Sequence, residues 1–246
     1  VRPEGDVFHG DESKMQAEQL KTVPVVVGQK RFRAAQRFLR EAPEKIPTHW
    51  ILDDGFQHRA IKRDKDIVLL DADDPIAGGL LPSGNLRESL ASLKRADIVI
   101  YTRAHDHSPH AQNKKIVSNH YSGPVFFVPY VAEKIVSVDK GGEFDLTKHS
   151  PVLLVAGVAN PDRVAEDLSK IGVTVDGSYI ISDHSLLMRS KIENKLQNNR
   201  AIITTAKDYW RDPSVFVGFT QPVFVLSLEV QADENILKSI CTIDNI

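Results

Sequence analysis

The runs Ile67-Val68-Leu69-Leu70 and Ile98-Val99-Ile100-Tyr101 each place four apolar residues in succession, with no polar residue between them. Two segments nearer the N-terminus have a similar character, Trp50-Ile51-Leu52 and Val23-Pro24-Val25-Val26-Val27. Strands of a parallel sheet are covered on both faces, so they carry continuous apolar runs rather than alternating ones. These runs therefore predict the strands of a parallel sheet.

Helical patterns separate some of these runs. Arg31–Arg40 is typical of an amphipathic helix, with Phe32, Ala35 and Leu39 on one face and arginines on another. Strands that alternate with helices predict a layered α/β protein.

The composition changes near Gly123, and a smaller α/β unit follows. Its predicted elements are the strands Val152–Val155 and Ala201–Thr204 and helices over about 162–171 and 189–198. Two similar segments, Pro124–Val128 and Pro222–Leu226, flank this unit, and we expect them to pair as a linker. The predicted organisation is a core over residues 1–123, a two-stranded linker over 124–137 and 221–231, a smaller α/β domain over 138–220, and a C-terminal helix over 232–246 that returns toward the core.

The composition excludes several classes of protein. The 246 residues carry 31 basic and 33 acidic side chains, which gives a formal net charge of −2, and 41% of them are hydrophobic. The hydrophobic share is too high for a disordered chain, and the small charge argues against a general nucleic-acid binder. The single cysteine, Cys241, cannot form an internal disulfide. The apolar runs are far shorter than the roughly 20 residues of a membrane span, and the N-terminal segment is unlike a signal peptide. We therefore expect a chain that neither spans a membrane nor is exported.

The segment Trp50-Ile51-Leu52-Asp53-Asp54-Gly55-Phe56-Gln57-His58 carries the strongest local signal. A buried strand that ends in acidic residues has the form of a Walker B element, whose carboxylates hold Mg²⁺ at the carboxyl edge of a parallel sheet. The alternative is an Asp-Asp-Gly turn at the end of an ordinary strand.

Two further segments suggest contacts with a phosphorylated ligand. Gly10-Asp11-Glu12 precedes a helical stretch, where acidic residues either cap the helix or supply a base that accepts a hydroxyl proton. The glycine-rich loop Gly78–Glu88 could let backbone amides approach a ligand, with Arg87 forking onto phosphate oxygens. In the alternative interpretation it is a surface loop in which Arg87 and Glu88 cap the next helix.

Histidines mark two more positions. His105, His107 and His110 follow a predicted strand and could ligate zinc. Pro109 stands where a metallo-β-lactamase-type signature needs a ligand, so an exposed polar loop is the favoured interpretation. Asp183-His184 places a carboxylate beside an imidazole in the smaller unit.

In this order, these motifs resemble those of the tetraacyldisaccharide 4′-kinases, the lipid A 4′-kinases, and the similarity covers nearly the whole chain. The matching segments are Gly10–Glu12, Val25–Gly28, Leu52–Ala60, Arg63-Asp64, Leu80–Pro82, Leu86–Glu88, Leu93–Asp97, Gly157–Pro161, Asp183-His184 and Thr204–Asp208.

The resemblance implies a P-loop NTPase-like core and an ATP- and Mg²⁺-dependent kinase, monomeric and peripheral to the cytoplasmic face of the bacterial inner membrane. Its substrate would be the 4′-hydroxyl of a tetraacylated glucosamine disaccharide 1-phosphate. By position, the resemblance implies that Asp11 is the base and His184 its partner from the second domain. Asp53 and Asp54 would hold Mg²⁺, and Arg87 and Glu88 would contact phosphates or bound nucleotide. Gln57, His58 and Glu12 would line the site. A base pair drawn from two domains would couple catalysis to closure about the linker.

The sequence also departs from the family pattern. Ser13, Asn85 and Ser89 stand where the family usually has proline, which concerns loop geometry more than chemistry. No Gly-x-x-x-x-Gly-Lys-Ser/Thr loop occurs in the 246 residues. In the family that loop precedes Gly-Asp-Glu, behind a hydrophobic helix that contacts the membrane. We therefore expect the chain to lack an N-terminal part and to be inactive alone. A zinc-dependent hydrolase built on His105, His107 and His110, and a non-catalytic lipid-binding domain, remain the alternatives.

Overall fold

A computed structural model describes residues 11–104, 111–138, 142–158, 161–182, 185–196 and 198–242. In chain order its elements are α1 (Asp11–Gln19), α2 (Arg31–Glu41), β1 (Ile67–Asp71), β2 (Ile98–Thr102), α3 (Ala111–Ser118), β3 (Val125–Val128), β4 (Tyr130–Ser137), α4 (Leu146–His149), β5 (Val152–Ala156), α5 (Pro161–Lys170), β6 (Val175–Ile180), α6 (Arg189–Leu196), β7 (Ala201–Thr205), α7 (Ala206–Arg211), β8 (Val223–Val230) and α8 (Glu234–Cys241), with 3₁₀ helices at Leu90–Arg95 and Pro213–Phe216.

The chain folds as two compact units. One, the β5 unit, combines the described residues up to Thr48 with Ala132–Leu228, and the other, the β1 unit, combines His49–Val131 with the described residues from Glu229 onward. The domain boundaries predicted from the sequence stay a prediction; the units differ from them in grouping the residues before His49 with Ala132–Leu228. Across the described ranges, no helix has both the length and the apolar character that a membrane crossing needs.

The β5 unit is built on a sheet with the strand order β4-β8-β7-β5-β6, in which β6, β5, β7 and β8 pair in parallel. Successive residues of its central strands point to opposite faces. Leu154 and Ile203 belong to the apolar cluster on one face, and Leu153 and Ile202 belong to the cluster on the other. Both faces are therefore buried, which confirms the predicted parallel sheet and explains the continuous apolar runs.

The β1 unit holds a second parallel sheet, in the order β1-β2-β3. Val99 and Tyr101 of β2 pack in a cluster with Val117 of α3. Ile98 and Ile100 pack with Ile236 of α8. The helix that comes last among the described elements thus covers a face of this sheet.

Two strand predictions are wrong. Neither Val23–Val27 nor Trp50–Leu52 forms a strand, and Ile51 is 94% exposed. An extended segment becomes a strand only when its backbone groups pair with a neighbour, and no described strand pairs with either segment. The helix predicted over Arg31–Arg40 is present as α2, but its buried residue is Phe38 rather than a member of the predicted apolar face.

The pairing expected for the two similar segments is also wrong. Val125–Val128 is β3 and pairs with β2, whereas β8 lies between β4 and β7 in the other sheet. The chain leaves β3 and enters β4 two residues later, so β4 rather than β3 becomes the neighbour of β8. The linker over 124–137 and 221–231 stays a prediction.

The carboxylate that caps helix α4 makes the stability of the fold depend on pH. The carboxylate of Asp145 accepts hydrogen bonds from the Thr147 hydroxyl at 2.6 Å and from the Thr147 and Lys148 amides at 2.9 and 3.3 Å. These bonds, the hydroxyl first, lower the pKa of Asp145 to about 2. The pKa is lower in the folded state than the value of about 3.9 expected when unfolded. The stabilisation is therefore complete above about pH 4 and is lost as the pH falls toward 2.

We expect Asp145→Ala to lower the urea midpoint at pH 6, and the difference from wild type to shrink steadily between pH 4 and pH 2. Thr147→Val, which removes the hydroxyl, should raise the pKa of Asp145 in a carboxyl NMR titration. A difference that is the same at pH 6 and pH 2 would contradict this account of the helix cap.

Candidate functional site

The Asp53–His58 segment of the β1 unit is a series of turns. The amide of His58 donates to the carbonyl of Gly55 at 2.9 Å, and Asp54 has a φ of 49°, a left-handed conformation that aspartate tolerates better than most residues. Gly55 is buried, and a Cβ there would lie 2.7 Å from the carbonyl oxygen of Leu52. The Asp-Asp-Gly turn thus exists, although residues 50–52 directly before it do not form a strand.

Arg63 fixes the end of this segment. Its Nη1 donates to the carbonyls of His58 at 2.6 Å and Ile61 at 3.1 Å, while Nε and Nη2 donate to the two carboxylate oxygens of Asp66 at 2.6 and 3.1 Å. The hydrogen bond with Asp66 raises the pKa of Arg63 above its ordinary value. A bidentate arginine–carboxylate pair has a defined geometry, so it places the backbone of His58 relative to β1, which begins next to Asp66.

Arg87 and Asp54, two predicted site residues, lie together. Nη1 of Arg87 is 3.2 Å from Oδ2 of Asp54, and their side chains are 62% and 69% exposed. Exposed ion pairs contribute about 0–1 kcal/mol to stability, so this contact costs little to break. Arginine side chains commonly bind phosphate and aspartate side chains commonly bind metal ions. Arg87 and Asp54 lie side by side, and both are exposed enough to contact a ligand from solvent.

Glu88, another predicted site residue, is held by its neighbours. The hydroxyl of Ser92 and then the guanidinium of Arg95 lower the pKa of Glu88 below its ordinary value, and the Arg95–Glu88 distance is 2.8 Å. The guanidinium of Arg95 also lies over the ring of Phe56, 4.5 Å from its centroid. Arg95 therefore joins the segment that follows Arg87 to the Asp-Asp-Gly-Phe turn. Arg95 lies in a matching segment but is not among the predicted site residues.

The glycine-rich loop is closed by its own backbone. The amides of Gly79, Gly84 and Leu86 donate to the carbonyls of Ile76, Leu80 and Gly79 at 2.7, 2.9 and 2.9 Å. A Cβ on Gly84 would lie 2.3 Å from the carbonyl oxygen of Gly79, so glycine is needed at this crossing of the chain. These amides bond within the loop, whereas the side chain of Arg87 is exposed and can contact a ligand.

A further acidic group follows β1. Asp71 ends that strand and lies 3.9 Å from Arg103, which follows β2. Both residues stand at the carboxyl edge of the parallel sheet, where α/β proteins bind ligands. The signal that sequence reasoning missed is the acidic residue directly after the run Ile67–Leu70.

Within the described ranges, no three histidine, cysteine or acidic side chains come close enough together to hold a metal ion by themselves. Mg²⁺ is commonly held by one or two carboxylates together with substrate phosphates. Asp54, which lies 3.2 Å from Arg87, and its chain neighbour Asp53 fit that donor set. His105, His107 and His110, the predicted zinc ligands, lie outside the described residues.

The β5 unit carries the remaining predicted residues. Helix α1 begins at Asp11, includes the exposed Glu12, and packs against α7. His184 lies outside the described residues, but the residues on either side of 183–184 are described. The amide of Ser185 donates to the carbonyl of Ser182 at 3.0 Å, and the two serine hydroxyls share a hydrogen bond of 2.6 Å.

Two charged residues of α7 had no predicted role. Asp208 is 0% exposed, and its carboxylate lies 3.5 Å from Nη1 of Arg211, whose side chain is 6% exposed. Sequence alone favours solvent exposure for both residue types. Their spacing of three residues on a helix that follows a buried strand is the signal that could have found the pair.

Comparison with known proteins places these residues in a family. The family model for tetraacyldisaccharide-1-P 4′-kinase, LpxK, matches residues 6–243. The tetraacyldisaccharide 4′-kinase of Chlorobaculum parvum is 34% identical over 208 residues, covering 82% of this chain and 57% of its own. That of Halothermothrix orenii is 32% identical over 245 residues, covering 90% and 63%. The crystal structure of the "apo" form of LpxK from Aquifex aeolicus in complex with ATP is 26% identical, with a TM-score of 0.65 over 94% of this chain and 68% of that one.

The chain spans 57% and 63% of the length of these two curated relatives. The similarity in sequence extends over nearly all of this chain, and the similarity in structure covers the same α/β fold. This chain belongs to the tetraacyldisaccharide-1-P 4′-kinase family.

Proposed function

We propose that the protein is a kinase that transfers the γ-phosphate of ATP to the 4′-hydroxyl of a tetraacylated glucosamine disaccharide 1-phosphate. The observation that carries the proposal is the family match over residues 6–243. The proximity of Arg87 to Asp54 supports it, because phosphoryl transfer depends on positioned cations and carboxylates more than on covalent chemistry.

We assign the proton transfer to the β5 unit. Asp11 accepts the proton of the 4′-hydroxyl. The hydroxyl oxygen forms a bond to the γ-phosphorus, and the bond between that phosphorus and ADP breaks. His184 supports Asp11 as its partner. The packing of α1 on α7 supports this pairing, since Arg211 of α7 donates to the carbonyl of Ser185, the residue after His184. A positioned base of this kind contributes about 10²–10⁴-fold to the rate.

The β1 unit binds the nucleotide in this proposal. Arg87 contacts phosphate oxygens, and Glu88, fixed by Ser92 and Arg95, holds the segment that carries Arg87. Asp53 and Asp54 would hold Mg²⁺, which neutralises phosphate charge when bound. Gln57 and His58 line the site through the turns that Arg63 fixes. In the β5 unit, Glu12 of α1 is assigned to contact with the substrate. Because the substrate carries acyl chains, we place the protein as a peripheral monomer on the cytoplasmic face of the inner membrane.

The test is a transfer assay with the complete natural protein. We expect Mg²⁺ and γ-³²P-ATP to label a tetraacyldisaccharide 1-phosphate in mixed micelles, and a 4′-deoxy analogue to stay unlabelled. If neither lipid is labelled, the proposed kinase activity is wrong. Label in both would refute the assignment of the 4′-hydroxyl as acceptor.

A further inference from the structure

Arg95 holds two segments of the candidate site at once. Its Nη2 donates to Oε2 of Glu88 at 2.8 Å, and Glu88 directly follows Arg87 in the chain. Its guanidinium carbon lies 4.5 Å from the centre of the Phe56 ring, and Phe56 comes two residues after Asp54. Glu88 and Phe56 lie far apart in the sequence, so a single guanidinium joins the segment that carries Arg87 to the turn that carries Asp54.

Arg95 is itself fixed to the core of the β1 unit. It ends the 3₁₀ helix Leu90–Arg95, and Leu93 of that helix is buried in the apolar cluster that contains Val99 of β2. The amide of Ala96 closes the helix on the carbonyl of Leu93 at 2.9 Å. The guanidinium of Arg95 therefore extends from a firm support next to β2, and it sets the positions of its two partners relative to the sheet.

The contact between Arg95 and Glu88 is better shielded from solvent than the contact between Arg87 and Asp54. The side chains of Arg95 and Glu88 are 32% and 23% exposed, whereas those of Arg87 and Asp54 are 62% and 69% exposed. Water weakens an exposed ion pair more than a shielded one. The geometry of the exposed pair therefore depends on what holds its two segments together rather than on its own attraction.

We propose that Arg95 is a positioning residue that sets the side chain of Arg87 against the Asp-Asp-Gly turn for binding of the nucleotide phosphates. The inference rests on the proposed function, in which Arg87 contacts those phosphates and Asp54 holds Mg²⁺. Arginine suits this position because its planar group can stack on an aromatic ring and donate to a carboxylate in the same plane. A lysine ammonium has no planar face, so at position 95 it would hold one partner and release the other.

The kinetic test compares Arg95→Lys with Arg189→Lys in the complete natural protein. Arg189 is a matched control in the β5 unit, since it pairs with Glu193 at 2.8 Å and lies 4.4 Å from the centre of the Phe219 ring. We expect Arg95→Lys to lower kcat/KM for ATP by about 10–100-fold, the scale of a small misplacement of a group in the site. Arg189→Lys should change it by less than about twofold. A wild-type value in Arg95→Lys overturns the proposal.

The same change in an Arg87→Ala background separates positioning from a merely structural effect. If Arg95 acts through Arg87, Arg95→Lys should lower kcat/KM for ATP by less than about twofold there, because the effects of coupled residues are not additive. An undiminished loss in that background shows that Arg95 does not act through Arg87, and the proposal is then wrong. If Arg87→Ala alone keeps the wild-type kcat/KM, the assignment of Arg87 to nucleotide binding fails instead.

A second measurement depends neither on activity nor on the role of Arg87. With ¹⁵N-arginine labelling and the side-chain signals of Arg87 assigned through Arg87→Lys, we expect Arg95→Lys to shift the Nε signal of Arg87. Arg189→Lys should leave that signal in place. An unshifted Arg87 signal in Arg95→Lys refutes the positioning role.

Variants of Phe56 cover the case in which Arg95→Lys does not fold, since they leave the ion pair between Arg95 and Glu88 intact. Phe56→Leu removes the ring face, so it should shift the Arg87 signal and lower kcat/KM for ATP. Phe56→Tyr keeps a ring face for the guanidinium and should retain the wild-type values. If Phe56→Leu behaves as wild type, or if Phe56→Tyr shows the same loss as Phe56→Leu, the stacked Arg95 does not position Arg87 and the proposal is wrong.

Discussion

Replacing Asp11 by asparagine is expected to lower kcat by about 10²–10⁴-fold while KM for ATP stays within about twofold. Asparagine has nearly the same shape as aspartate but cannot accept the hydroxyl proton, so the loss should fall on the chemical step. Steady-state kinetics of the complete protein, with ATP varied at saturating lipid, separates the two constants. Glu18→Gln, which neutralises an exposed glutamate of α1, is the matched control and should leave both constants unchanged.

His184→Ala should show the same pattern, and the double variant Asp11→Asn with His184→Ala should be little slower than the worse single variant. Residues that act as a unit give effects far from additive. If either single variant instead raises KM for ATP as much as it lowers kcat, the residue belongs with the nucleotide and the proposed base pair is wrong.

Replacing Asp208 by alanine should destabilise the β5 unit by about 3–5 kcal/mol, because it leaves the buried guanidinium of Arg211 without its carboxylate. It also removes the acceptor for the amide of Gly157. Trp210 lies on the same helix, so its fluorescence during guanidinium chloride unfolding, in a Trp50→Phe background, reports on this unit.

The double variant Asp208→Leu with Arg211→Met should recover most of that loss, since apolar replacements remove the unpaired charge. As a surface control, Glu193→Ala breaks an exposed ion pair with Arg189 and should cost less than about 1 kcal/mol. A loss of under 1 kcal/mol for Asp208→Ala would show that the pair contributes little to stability. No recovery in the double variant would show that the loss does not come from an unpaired buried charge.

The contrast between the strands shows what an apolar run can predict. Val152–Val155 and Ala201–Thr204 are strands as predicted, because helices cover both faces of a sheet in which each has neighbours. Trp50–Leu52 has a similar composition but forms no strand. Composition reports the tendency to be buried, whereas a strand also needs a partner for its backbone, and that partner is not encoded in the segment itself.

The candidate site likewise contains residues that the sequence could predict and one that it could not. Motif order was enough to predict Asp54 and Arg87, which the structure brings within 3.2 Å. It did not reveal Arg95, whose partners Glu88 and Phe56 lie 7 and 39 positions earlier in the chain. Contacts at such separations depend on the turns of the chain rather than on helical periodicity, so residue patterns do not show them.

The position of Ile236 has a consequence for biosynthesis. Ile236 of α8 packs against Ile98 and Ile100 of β2, yet about 100 residues of the β5 unit are translated between β3 and α8, which takes about 5–20 s at ordinary elongation rates. Throughout that interval the emerging sheet keeps an apolar face open on the ribosome. We therefore expect the nascent chain to engage a holdase chaperone until α8 is released, and its dependence on chaperones to fall when that helix is supplied early by circular permutation.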